Sequence, residues 1–246
     1  MFSDAINNEK LEIYVDGFED STLRAYWTQH TAGLPYSLTL DPTVKKSGKQ
    51  SLRFELNKSD PPSNVGSHRS EIHFLDEEPL EEHWYGFSIY LPDDGEENFS
   101  YDTEPEILVQ WHANPDIGEA EVSPPLSLQT HKGRYVIVQR WEDDPITEQN
   151  KLPIFTKDLG DYAPDKGKWV NWVFHVKWGW LPEQNPITEV YKNGKLVYKR
   201  NGHPNTYNDK KGVYQKLGIY KWPWDDPNNG SISSKRVVYF DNFWRK

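Results

Sequence analysis

Residues 1–246 read as a single all-β domain, a jelly roll of two antiparallel sheets. Three features carry that reading. Apolar and polar residues alternate at period two in about a dozen short runs. Turn signals separate those runs, and no stretch sustains a helical period. In chain order the runs fall at 11–15, 50–56, 68–74, 84–91, 106–112, 125–131, 133–141, 169–178, 187–192, 195–199, 213–221 and 235–243.

The clearest is WVNWVFHVKW at 169–178. Val170, Trp172, Phe174, Val176 and Trp178 share one face, and Asn171, Val173, His175 and Lys177 share the other. Between EVYK and KLVYK, Asn193-Gly194 signals a type I′ hairpin. DEEPLEEH at 76–83 is read as one short helical turn. Prolines cluster near 115–125, 145–153 and 223–227, which predicts long surface loops rather than linkers between domains.

Composition narrows the function classes. With 28 Lys and Arg against 38 Asp and Glu, the net charge is −10. Such a field repels polyanions, so neither nucleic acid nor an anionic membrane surface is an expected partner. The absence of Cys excludes disulfides, thiol catalysis and Cys-ligated zinc. No apolar run approaches the length of a membrane span. Eleven Trp, 14 Tyr and 10 Phe bring the aromatic share to 14 %. Aromatics favour strands, and they also stack on sugar faces. MFSDAINNEK lacks the basic and apolar regions of a signal peptide, so the chain is either cytosolic or starts after processing.

Three strands carry candidate chemistry. HRSEIHF at 68–74 puts Arg69, Glu71 and His73 on one face and His68, Ser70, Ile72 and Phe74 on the other. Taken alone it suits a solvated edge strand. ILVQWH at 107–112 pairs Gln110 with His112, with Leu108 leading into that face and Ile107, Val109 and Trp111 on the core side. YQKLGIYKW at 214–222 aligns Tyr214, Lys216, Gly218 and Tyr220. A glycine inside such a strand marks a close approach to the backbone. If the three faces line one sheet, the cleft holds cations, imidazoles and phenols suited to an acidic sugar.

R-S-E, Q-x-H and Y-x-K-x-G-x-Y, in this order, resemble the signatures of jelly-roll polysaccharide lyases with a lectin-like sandwich. SHRSEIHF, HWYGFSIYLP, ILVQWH and KLGIYKW look most like the glucuronan-lyase and heparin-lyase-like group, and less like the family 7 alginate lyases. His73 stands where the alginate lyases carry a second Arg, and Trp222 where they carry a final Gln. The resemblance implies β-elimination at a uronate. In it Gln110 and Arg69 would neutralise the carboxylate, Tyr220 would move the proton, and His112 would assist or serve as base. Lys216, Tyr214, Glu71 and His73 would bind substrate. A proton-transferring tyrosine benefits from cations such as Arg69 and Lys216 nearby. An unsulfated glucuronan is the favoured substrate; alginate, ulvan and heparin-like chains are the alternatives. Catalysis would need no cofactor, and the protein would act as a monomer. Its placement would be secreted or periplasmic, where such polymers are found.

Other readings remain open at this stage. Glu142, Asp144 and Glu148 in EDDPITE miss the glucanase carboxylate spacing by one residue. A non-catalytic carbohydrate-binding module would share the scaffold. The segments YVDGFED, SGKQSLRFE and YFDNFW resemble jelly-roll termini that hold a structural Ca²⁺. Glu19, the Gly48 carbonyl and Asp241 would then supply oxygen ligands. The alternative is a set of acidic turn residues without metal.

Overall fold

The computed structural model describes residues 13–246. Fifteen strands occur among them: β1 (Tyr14–Asp16), β2 (Thr28–His30), β3 (Leu38–Asp41), β4 (Ser51–Asn57), β5 (Arg69–Asp76), β6 (Glu82–Tyr90), β7 (Glu106–His112), β8 (Leu126–His131), β9 (Arg134–Arg140), β10 (Ile154–Asp161), β11 (Trp169–Lys177), β12 (Ile187–Lys192), β13 (Lys195–Lys199), β14 (Tyr214–Tyr220) and β15 (Lys235–Arg245). Short 3₁₀ turns are the only helical elements among the described residues. The strand expected at 11–15 begins outside those residues and is seen from Tyr14.

The strands form two antiparallel sheets, as the period-two pattern requires. One runs β13-β12-β11-β6-β15-β4-β3, with β1 also on β15. The other runs β10-β9-β8-β7-β14-β5-β2. β7 to β10 are a meander, whereas β14 comes from much later in the chain and inserts between β7 and β5. That insertion makes the three motif strands neighbours.

The core lies between the sheets. Val170, Trp172, Phe174, Val176 and Trp178 are buried, as their parity predicts. Aromatic contacts cross the interface: Trp111 meets Phe174 at 4.7 Å, Tyr135 meets Trp172 at 5.1 Å and Phe74 meets Phe243 at 5.0 Å. Each such side chain removed from water contributes about 1.5–3 kcal/mol. Asn193 and Gly194 adopt φ 49° and 78°, the left-handed pair of a type I′ turn between β12 and β13.

The structure departs from the sequence reading in four places. β2 and β3 are short edge strands, too short for alternation to register. β10 is also an edge, and its exposed residues leave no apolar face to detect. DEEPLEEH contains no helical turn; β5 runs into it, Leu80 turns the chain at φ 64°, and β6 starts at Glu82. Ile107 and Leu108 exchange faces. A register irregularity between Ile107 and Val109 puts Leu108 in the core beside Val109 and Trp111 and sends Ile107 to the outer face.

Candidate active site

The outward face of the seven-stranded sheet gathers the three motifs. On β14, Tyr220 lies opposite Arg69, Gly218 opposite Glu71, and Lys216 opposite His73. On the other side of β14, Lys216 lies opposite Gln110 and Tyr214 opposite His112. The alternate residues Ser70, Ile72, Phe74, Leu217 and Ile219 are buried toward the core. β5 is therefore no solvated edge: β2 covers it, with His30 opposite Glu71. Gly218 adopts φ 137°, and a Cβ there would overlap the Ser70 carbonyl and sit 2.7 Å from Glu71 Cα. The close approach expected at this glycine is thus made by the neighbouring strand.

Above the sheet lies a cavity of about 500 Å³. Arg69, His112, Tyr214, Lys216 and Tyr220 all line it, from positions spread along the chain. Gln110, Glu71 and His73 share the face but sit behind that lining. Gln110 is fully buried and donates from Nε2 to Glu71 Oε1 at 2.5 Å. Glu71 Oε2 faces Arg69 Nη1 at 3.5 Å, and the Arg69 guanidinium lies 4.0 Å from the Tyr220 ring centre. A buried chain of groups thus sets the pose of Arg69 over the phenol. His73 packs on Tyr214 at 4.1 Å, and Tyr214 stacks against His112 at 5.4 Å.

Burial and crowded cations keep the imidazoles neutral. His112 is pushed down to about 4, first by burial and then by Lys216. Burial, Lys216 and His73 take His30 to about 3, and His73 is lowered chiefly by burial. Lys216 is lowered by burial, with Glu71 opposing. Burial raises the Tyr214 phenol, and Glu121 and Glu71 add to the effect. His112 Nδ1 lies 2.9 Å from the Ala113 carbonyl oxygen, which can only accept. Nδ1 therefore carries the proton and Nε2 keeps its lone pair. That nitrogen is 3.8 Å from Glu121, a mostly exposed residue of the rim.

The end of β14 is anchored from below. Lys221 is fully buried and faces Asp102 at 2.8 Å and Glu106 at 2.5 Å. Arg236 joins the same two carboxylates, so two cations balance two anions. His68, at the start of β5, bonds Asp225 at 2.6 Å. That contact ties the turn Trp222–Asp225 beside Tyr220.

Several lining residues escaped the sequence reading, among them three polar ones, His30, Gln129 and Arg140. His30 comes from a three-residue strand with no pattern. Gln129 and Arg140 lie on the β8–β9 hairpin, turned by Lys132 and Gly133 at φ 49° and 80°. Val136, Val138 and Arg140 share one parity in RYVIVQR, so that signal was present in the sequence.

The other candidates lie apart from this cavity. Glu142 makes an isolated bridge with Tyr207, while Asp144 and Glu148 are exposed loop residues. They share no strand face, as paired glucanase carboxylates would. Glu19 packs against Gly48 and accepts the Lys49 amide at 2.7 Å. Asp241, fully buried, accepts the amides of Lys46 at 2.8 Å and Ser47 at 3.1 Å. Its carboxyl is raised by burial, with Glu19 adding repulsion. Two carboxylates that meet the one loop 46–49 are the donor type a hard cation takes, although no group of three or more acidic or His side chains that could hold a metal ion occurs among the described residues.

No curated protein matches the chain in sequence. Several solved structures share its fold. An endo-β-1,4-glucuronan lyase from the fungus Trichoderma reesei aligns with a TM-score of 0.71 and 17 % identity, over 91 % of this chain and 95 % of that one. A PL7 alginate lyase, AlyA1 from Zobellia galactanivorans, aligns at 0.51 and 14 % identity, over 88 % and 85 %. A PL-14 alginate lyase from Aplysia kurodai aligns at 0.50 and 12 % identity, over 95 % and 90 %. At these identities the likeness establishes the jelly-roll fold. The family model described as polysaccharide lyase matches residues 18–244, nearly the whole chain, and the protein belongs to that family of enzymes.

Proposed function

We propose that the protein cleaves an unsulfated polyuronate, of the β-1,4-glucuronan kind, by β-elimination. The observation that carries this is the meeting of Arg69, Lys216, neutral His112 and Tyr220 around one cavity. Removing the proton at C5 of a uronate is hard because the neighbouring carboxylate is already negative. Cations beside that carboxylate stabilise the enolate-like dianion that forms. A base takes the C5 proton, its electrons form the C4–C5 double bond, and the C4–oxygen bond breaks. The departing oxygen then takes a proton from an acid.

In this scheme Arg69 and Lys216 face the carboxylate. Gln110 sits beneath them and, through Glu71, holds Arg69 in place. Tyr214, Glu71 and His73 shape the binding wall and its support. For a β-D-glucuronate the C5 hydrogen and C4 oxygen lie on one side, and Tyr220 serves as base and then acid. For a guluronate or iduronate they lie on opposite sides, and His112 Nε2 is the base with Tyr220 as acid. Arg69, Lys216 and Arg140 make a modest positive lining, suited to one carboxylate per sugar rather than to dense sulfation. The shared fold with an endo-β-1,4-glucuronan lyase supports the glucuronan choice.

Catalysis uses no cofactor in this scheme. Glu19, Asp241 and the Gly48 carbonyl would hold a structural Ca²⁺ far from the chemistry. In this scheme the enzyme acts as a monomer. No helix among the described residues is long and apolar enough to cross a membrane. A polymeric substrate places the enzyme outside the cell or in the periplasm. The test is a panel of glucuronan, alginate, ulvan, heparin and hyaluronan, read by the ultraviolet absorbance of the new double bond. Glucuronan should give the fastest rise, and absorbance from none of the five would reject the proposal.

A further inference from the structure

We propose that Arg140, with Gln129, forms a second carboxylate subsite, so that the cleft grips two uronates of one chain at once. This rests on the polyuronate reading above. The reacting sugar would lie over Lys216 and Tyr220, and the second over the β8–β9 hairpin.

The sheet sets the spacing. Trp111 lies opposite Leu126, and Leu126 opposite Gln139. The next residue along β7 is His112 and the next along β9 is Arg140, so the two are level across the sheet. Two strand spacings separate them, about 10 Å at 4.7–4.9 Å each. That exceeds one pyranose ring and stays within the same cavity, which both residues line. Gln129 lies on β8, the strand between, but four residues along from the row of His112 and Arg140: it is opposite Ile107, itself opposite Tyr220.

Arg140 is placed as a cation awaiting an anion. Its guanidinium donates to the Pro124 carbonyl at 3.2 Å. Burial lowers its pKa and Tyr207 opposes that, and no carboxylate among the described residues pairs with it. Most of the molecule's other sheltered arginines meet a carboxylate. Arg53 pairs with Glu55 and Glu97, Arg236 with Asp102 and Glu106, and Arg245 with Glu77. Arg200 donates to the Pro204 carbonyl at 2.9 Å and, unlike Arg140, is covered by the Trp141 and Phe155 rings. Sheltering a guanidinium without a counter-charge destabilises the free protein. A planar guanidinium also matches a carboxylate in a two-pronged bond, which a neutral sugar would not repay. Gln129 lines the same cavity; its Nε2 bonds Ser127 Oγ at 2.8 Å and has a second N–H for a hydroxyl of the same sugar chain.

The experiment compares wild type, Arg140→Gln and Arg140→Lys on glucuronate oligomers of increasing length, with ultraviolet detection and circular dichroism to confirm folding. In Arg140→Gln, KM should rise about tenfold or more for oligomers long enough to reach the hairpin, as expected for loss of a charge-assisted bond. kcat should stay within a few-fold, and the shortest cleaved oligomer should show no KM change. Arg140→Lys should recover part of the loss. An equal KM rise at every length, or an unchanged length dependence, would overturn the subsite. Calorimetric binding of a long glucuronate oligomer separates the two proposals. If wild type forms no unsaturated product yet binds, and Arg140→Gln binds about tenfold more weakly, the subsite stands and the lyase assignment falls. Equal binding by both proteins, or by neither, rejects the subsite.

Discussion

Tyr220 and Tyr214 stand on one face of one strand, yet their surroundings assign them different work. Tyr220 lines the cavity under the Arg69 guanidinium. Tyr214 is wedged between His73 and His112, and burial holds its proton on. Tyr220→Phe keeps the ring and deletes its hydroxyl, so turnover should fall about 10²–10⁴-fold with substrate affinity nearly kept. Tyr214→Phe should cost much less. Near-wild-type turnover in Tyr220→Phe would remove the assignment. His112 carries a pH prediction. Its folded value of about 4 lies below the ordinary 6.5, so it remains neutral and able to accept a proton well into acid. The acid limb of kcat/KM should therefore lie near pH 4, and a limb near 6.5 would contradict its burial. The same depression stabilises the fold above pH 6.5, and that contribution is lost as pH falls from 6.5 through 4. His112→Ala distinguishes the two stereochemical schemes. Residual turnover on glucuronan fits Tyr220 acting twice, and complete loss fits His112 as base.

At the scale of the strand, β14 is the hinge of the arrangement. It touches both other motif strands, and Gly218 lets β5 lie against it between Lys216 and Tyr220. Gly218→Ala would demand a backbone shift, because the obstructing atoms are the Ser70 carbonyl and Glu71 Cα rather than a side-chain tip. Combining the strained φ with the overlap, the loss should be about 2–5 kcal/mol. Denaturant unfolding would measure it. Activity should fall even where the variant is folded, since Arg69 and Tyr220 face each other across this pairing. A stability change below about 1 kcal/mol would show that the two strands separate more easily than their geometry implies.

For the molecule as a whole, the loop 45–49 joins the segment around Glu19 to β15 chiefly through carboxylate–amide bonds, with Ser47 Oγ also donating to Asn242 Oδ1 at 2.8 Å. Ca²⁺ held by Glu19, Asp241 and the Gly48 carbonyl would relieve the repulsion between the two acids. Ca²⁺ at a hundred times its Kd should add about 2.7 kcal/mol. That gain should appear as a rise in Tm that a chelator reverses and Glu19→Gln abolishes. The chelated enzyme should keep its turnover at temperatures where it stays folded, because the loop is remote from the cavity. A Tm indifferent to Ca²⁺ would leave the acids as turn residues only.

Much of this protein is legible along the chain. Parity alone placed Trp172, Phe174 and Val176 in the core and Arg69, Glu71 and His73 on a common face, because side-chain direction in a strand follows from period two without knowledge of neighbours. Asn193-Gly194 marked its hairpin for an equally local reason: few residues tolerate two consecutive left-handed conformations. Local rules fail where direction depends on pairing. The irregularity at Ile107 and Leu108 arises from how β7 sits on β8, and nothing in ILVQWH announces it. Parity also cannot separate lining from support. Gln110 and Lys216 share a face and a row, yet Gln110 lies behind the lining with Glu71 while Lys216 reaches the cavity. His30 and Arg140 join the site because β2 lies beside β5 and β9 lies across β8 from β7. That adjacency is set by the order in which strands pair, a choice made by packing across the whole sheet.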